Sequence, residues 1–178
     1  MILFLDFDGV LHNNNVFVRR VDLSVVASLQ EHERKLLTKE GILVEGENLF
    51  EHADRLAFVL ESFPEIRVVV TSTWRLHFSF DALKEFLPKS LADRVIGVTP
   101  EMSTISGDGV TLRSREISRY LQANGPHQKW IALDDTDYLF FGYGDNPNLL
   151  LIDGRTGFTD TDAAALEQRL RKLAEYSK

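Results

Sequence analysis

The sequence contains no cysteine, and this one absence excludes disulfides, thiolate metal sites and thiol nucleophiles together. It is compatible with a reducing compartment. Positive charge is also scarce: 20 Lys and Arg face 27 Asp and Glu, a formal net charge of -7 with a pI near 5.2. No global cationic field is available to hold a polyanion such as duplex nucleic acid, so no broad nucleic-acid surface is expected, although local basic clusters remain open. Long apolar runs are missing as well. Met1 to Leu5 has no cationic lead-in and is stopped by Asp6, so it reads as neither a signal peptide nor a membrane span. The expectation is a soluble, cytoplasmic protein without a membrane partner. There is no internal repeat and no low-complexity tract. With 178 residues, 44% of them hydrophobic, the chain can build one core but is short for two ordinary domains. One domain is expected over residues 1–178, carrying a small insertion.

Ile2-Leu3-Phe4-Leu5 is a short, continuously apolar run ended by charge and glycine, the pattern of a strand buried on both faces of a parallel sheet. The pattern recurs at Arg67 to Ser72, Arg94 to Val98, Trp130 to Asp135 and Leu149 to Asp153. Helical patterns lie between. His52 to Phe63 places Leu56, Leu60 and Phe63 on one face, and Asp81 to Leu87 makes a short helix. Ser114 to Asn124 ends at Gly125, and a last helix starts near Thr161 and runs to the end of the chain. Strands alternating with helices predict an α/β fold, a Rossmann-like parallel sheet of about five strands. Residues 13–51 fit this alternation least. VLHNNNVFV reads as a hairpin with an Asn-rich tip and Asp22 to Leu37 as a charged helix, together a flap and cover inserted after the first strand. The same segment also reads as a solvated excursion with no gating role.

In an open parallel sheet, ligands bind beyond the carboxyl ends of the strands. The polar residues at those ends are Asp6 and Asp8, Thr71 and Ser72, Asp134 and Asp135, and Asp153. So many acidic groups repel one another unless a cation sits among them, and hard oxygen ligands select Mg²⁺. Asp-x-Asp-Gly also begins a calcium loop, but that loop needs an oxygen ligand at its fifth position and Glu at its twelfth, where Val10 and Phe17 stand. Thr71 and Ser72 also read as turn caps, and Asp134-Asp135 as a helix cap or turn. The joint pattern outweighs those separate readings.

These residues resemble the motifs of the haloacid dehalogenase (HAD) superfamily. DFDGV, Asp6 to Val10, is similar to its first motif and VVVTS to its second. RSREI offers Arg113 and Arg115 for its third, and IALDD resembles its acidic fourth. FEHADRL, FPEIRVVVTSTWR, RSREI, WIALDD and GFTD together look like the small HAD-domain subfamily found alone or in RNA-repair proteins. The resemblance implies Asp6 as a nucleophile forming an aspartyl-phosphate, and Asp8 as the acid that protonates the leaving oxygen and then the base that activates water. It implies Thr71, with Ser72 as the alternative, as donor to the phosphoryl oxygens. Arg113, or else Arg115, would be the balancing cation, an Arg where most of the superfamily has Lys. The Mg²⁺ shell would comprise Asp6, the Asp8 backbone carbonyl, Asp135 and Asp134, with Gly9 letting the chain leave the strand sharply. Asp8 favours phosphate-ester hydrolysis over dehalogenation.

Trp74 and Arg75, just past the phosphate site, suit a stacked base and a second phosphate. They also read as a buried Trp under the cover and an Arg paired with a neighbouring acid, since large aromatics are usually buried. Arg19 and Arg20 read as a solvated pair and His12 as structural. The expected function is a Mg²⁺-dependent phosphomonoesterase acting on a phosphorylated small molecule, a nucleotide or a nucleic-acid terminus. The alternative is a non-catalytic, metal-binding accessory module, which would be expected to have lost the nucleophile, the acid or the acidic pair; all are present.

Overall fold

The computed structural model describes residues 1–102, 112–140 and 146–175. In chain order its elements are β1 (Ile2–Leu5), β2 (Val16–Arg20), α1 (Glu31–Lys35), β3 (Ile42–Gly46), α2 (Ala53–Glu61), β4 (Arg67–Val70), α3 (Phe80–Glu85), α4 (Lys89–Ala92), β5 (Val95–Val98), α5 (Leu112–Asn124), β6 (Trp130–Asp134), β7 (Leu149–Leu151) and α6 (Asp160–Glu175). Short 3-10 turns intervene, including one at Thr73–Leu76. Five strands form a wholly parallel sheet in the order β5-β4-β1-β6-β7. The fold is α/β with a Rossmann-like core, as the alternating pattern predicts. The last expected helix ran to the chain's end, whose final three positions lie outside the described residues.

Alternation of side chains across a strand explains why the runs must be apolar throughout. Leu3 and Leu5 join Val68, Val70, Ile131 and Leu133 on one face, packed with Leu56 and Leu60 of α2 and Leu166 and Leu170 of α6. Ile2, Phe4, Val69 and Ala132 point the other way, against Ile117 and Leu121 of α5. Helix ends follow local chemistry. Thr159 and Asp162 cap each other at the start of α6, and Gly125 at φ +141 stops α5 by donating to the Leu121 carbonyl. Among the described residues no helix is long and apolar enough to cross a membrane.

The segment after β1 departs from expectation. Val10 and Leu11 do not enter a hairpin with β2. Their N–H groups return to the Phe7 carbonyl, while their own carbonyls accept from Phe158 and His52. With both sides of the backbone satisfied, no ladder is left to form. Instead β2 pairs antiparallel with β3, Val16 opposite Gly46 and Arg20 opposite Ile42. The expected helix over Asp22 to Leu37 is broken into a 3-10 turn at Leu23–Ser28, capped by Asp22, and the five-residue α1. Gln30 and Glu33 form a capping box there that restarts the chain as a new helix.

Strand order reverses direction at β1. The chain moves outward through β4 and β5, then returns to place β6 on the other side of β1. The carboxyl ends of β4, β1 and β6 therefore border one crevice. Leu60, fully buried under the sheet, and Phe58, 72% exposed on the same helix, calibrate the core. Leu60→Ala should cost about 2–5 kcal/mol in urea unfolding and Phe58→Ala less than about 0.5 kcal/mol.

Candidate active site

Asp6 follows β1 directly, held by its own N–H to the Leu133 carbonyl. Its Oδ1 accepts the Phe7 N–H at 2.8 Å and its Oδ2 accepts Arg113 Nη2 at 3.1 Å. Ser72 supplies a further hydrogen bond. Asp134 ends β6, its Oδ1 accepting the Thr136 N–H at 3.0 Å, and Asp135 accepts the Thr136 hydroxyl at 2.8 Å. One carboxylate oxygen from each of Asp6, Asp134 and Asp135 lies within 4.8 Å of the others.

Burial and crowding work against ionisation here. Burial pushes the Asp6 carboxyl above the usual range, opposed by Arg113. Asp134 is pushed well above it, by burial first and by Asp6 second. Arg113, itself buried, touches both: its Nε stands 3.0 Å from Asp134 Oδ2. That approach has ion-pair distance without hydrogen-bond alignment, so the buried Asp134 Oδ2 has no directed donor. Hard oxygen donors, more anionic than cationic groups, and an oxygen left without a donor suit a hard divalent cation.

Asp8 points elsewhere. Its carboxylate accepts the Trp74 indole N–H at 3.0 and 3.1 Å and faces His12 Nε2 at 3.1 Å. His12 Nδ1 accepts the Phe50 N–H, which leaves the ring proton on Nε2, toward Asp8. His12, fully buried, thus joins Trp74 in aiming the carboxylate. Sequence reasoning treated His12 as merely structural; its four-residue spacing from Asp8 was the available signal. Trp74 itself is buried, stacked on Phe78 and set edge-on to Phe7, Phe50 and Phe86.

The remaining candidates divide. Ser72 is the hydroxyl joined to Asp6, while Thr71 offers its carbonyl, which accepts from Arg75 and Arg113. Arg75 has the acid-paired arrangement: its side chain, 3% exposed, meets Glu116 at 2.5 Å and donates to the carbonyls of Thr71, Ser72 and Thr99. Glu116, which sequence reasoning missed, is one helical turn from Arg113 and buried with it. Arg115 is half-buried on α5, whereas Arg113, Glu116 and Ile117 are buried. Arg19 pairs with Glu45 across the ribbon, and Arg20 is exposed. Asp153 is lowered to about 2 by the Arg155 side chain and closes a turn with it. Gly9 has φ +67, and a Cβ there would collide with the Asp135 carboxylate. Glycine is therefore required twice, for conformation and for space.

The motifs FEHADRL and GFTD meet behind the site. His52 donates to the Thr156 carbonyl through Nε2, and Arg55 bonds Phe158 O and Asp160. This fastens the turn that supports Val10.

A raised carboxyl pKa means that the folded state holds a proton the unfolded state releases. Stability without divalent cation should therefore fall as pH rises from about 4, the unfolded value, through the raised value of Asp134. Thermal melts in chelator from pH 4 to 8 should show that decline, and Asp134→Asn should flatten it. A slope unchanged by the substitution would show that Asp134 is not its source.

Among curated proteins and solved structures nothing matches the chain. One family model does, over residues 2–163, taking in every motif from DFDGV to GFTD. With its acidic strand ends, its buried cation and its parallel sheet, the chain belongs to the family described as the HAD domain in Swiss Army Knife RNA repair proteins.

Proposed function

We propose that this HAD domain is a Mg²⁺-dependent phosphomonoesterase that works through an aspartyl-phosphate on Asp6. One observation carries the reading. Asp6 and Asp8 have separate tethers, Asp6 to Arg113 inside the acidic cluster and Asp8 to Trp74 and His12 in the lining of a cavity. Two carboxyl groups in different surroundings are what nucleophile and acid require.

Asp6 attacks phosphorus through a carboxylate oxygen while the phosphorus–oxygen ester bond breaks on the opposite side. Asp8 gives its proton to the departing oxygen, so the alcohol leaves neutral. A water then attacks the same phosphorus as Asp8 takes back a proton, releasing phosphate and restoring Asp6. Arg113 sits against Asp6 as a permanent cation where the phosphoryl charge develops, and Ser72 adds a donor beside it. Asp6, Asp134 and Asp135 would hold the magnesium, which when bound neutralises the charge that otherwise keeps carboxylate and phosphoryl group apart. The family's RNA-repair setting makes nucleotides and nucleic-acid ends the natural first substrates, and the domain reads as one unit over its length with the β2–β3 ribbon as cover.

Phosphate release from 4-nitrophenyl phosphate should require Mg²⁺ and vanish in Asp6→Asn. Acid-quenched wild-type protein should carry a phosphate that hydroxylamine removes. In kcat/KM, which reports the transfer to Asp6 and not the later attack of water, Asp8→Asn should lose about 10²- to 10⁴-fold with alkyl phosphates, and much less with 4-nitrophenyl phosphate, whose leaving group needs no proton. Equal losses on both esters would remove Asp8 from the acid role.

A further inference from the structure

The acid of the site opens onto a cavity of about 350 Å³, small for a ligand site, where about 300–1,000 Å³ is usual. One wall is the inner face of the ribbon. In the β2–β3 register, Val18 stands opposite Val44, with Val16 and Ile42 lining the cavity to either side. The facing wall is Trp74 and Phe78, whose rings lie 5.4 Å apart and nearly parallel. Neutral polar groups, Asn14, Thr38 and Thr73, punctuate it. Its titratable lining is limited to Asp8 and His77, and among the described residues no Lys or Arg contributes to it. Arg20, the next residue on the Val16–Val18 face, stands exposed outside that lining.

These features define a slot between an aliphatic sheet and an aromatic pair, with the Asp8 carboxyl in its lining. A second phosphate or carboxylate inside it would lose water, meet no fixed cation and face Asp8, an arrangement that disfavours an unpaired ion. An open-chain polyol would strip its hydroxyls of water against valines. A flat ring would fill the slot and bury apolar surface on both sides.

Building on the phosphatase reading, we propose that the leaving group is an uncharged, ring-bearing alcohol of about one ring system, such as a nucleoside or an arylmethanol. Polyol phosphates and esters carrying a second anionic group within the slot are excluded. For a nucleic-acid end this means that the terminal nucleoside alone enters and the next phosphodiester stays outside.

Three esters of similar primary alcohols test this without changing the reacting bond: benzyl, ethyl and 4-carboxybenzyl phosphate. Benzyl phosphate should exceed ethyl phosphate in kcat/KM by on the order of tenfold or more, and 4-carboxybenzyl phosphate should lose that advantage. Val18→Lys puts a cation on the wall at a position already 70% exposed, so the fold should tolerate it. It should raise 4-carboxybenzyl over benzyl phosphate relative to wild type. Equal kcat/KM for all three esters, or a preference that Val18→Lys leaves unmoved, would overturn the proposal while leaving the phosphatase reading standing. If none is hydrolysed, that reading fails and binding decides the slot. With only two Trp in the chain, Trp130→Phe leaves Trp74 as the fluorophore. Quenching by benzyl phosphate at concentrations at least about tenfold below those needed for ethyl phosphate would support the slot; equal quenching would overturn it.

Discussion

Like charges brought together out of water are the constraint that organises this molecule. Asp6 and Asp134 are both buried, with Asp135 beside them, and one guanidinium, that of Arg113, touches the two buried ones. Everything nearby adapts to that imbalance. Glycine at position 9 leaves room for the Asp135 carboxylate, as does Gly154 from the opposite loop. Arg75 does not add its charge to the crevice but is neutralised by Glu116 and spent on three carbonyls. The crevice therefore remains anionic by construction, and a hard cation is its natural complement.

The division between Asp6 and Asp8 follows from the same economy of charge. Asp6 is balanced by an ion; Asp8 is aimed by an indole and an imidazole. The first arrangement sets where negative charge is tolerated, and the second sets a direction. Only Phe7 separates them in sequence, and both follow the end of β1, yet one turns to Arg113 and the acidic cluster and the other to Trp74 and His12.

The core was legible because its signal is redundant. β1 is apolar on every residue, and β4 and β6 are apolar but for Arg67 and Asp134 at their ends; such runs leave few alternatives. The strand-end acids were legible for the same reason, as pairs at the ends of two strands, Asp6 with Asp8 and Asp134 with Asp135. The cover was not. Ile42 to Gly46 forms a strand only because β2 stands beside it, and neither has an intrinsic period strong enough to announce the pairing. The hairpin read from VLHNNNVFV failed because Val10 and Leu11 are claimed by Phe7, His52 and Phe158, partners that local pattern cannot reveal. Glu116 and His12 were passed over because their meaning depends on Arg75 and Phe50, both distant in sequence. Between Thr71 and Ser72, the pattern could not fix where the strand stops; β4 ends at Val70, ahead of both.

The anchoring of the turn after Asp8 bears on how the protein is made. Val10 takes its hydrogen bond from Phe158, and Asp6 meets a cation 107 residues downstream. A chain leaving the ribosome thus exposes Asp6 and Asp8 well before the residues that complete their surroundings. Such distant closures delay folding, because loop entropy must be lost before the contacts return anything. Until α5 and the Phe158 turn have been synthesised, Asp6 and Asp8 stand in water without the distant partners that fix their surroundings.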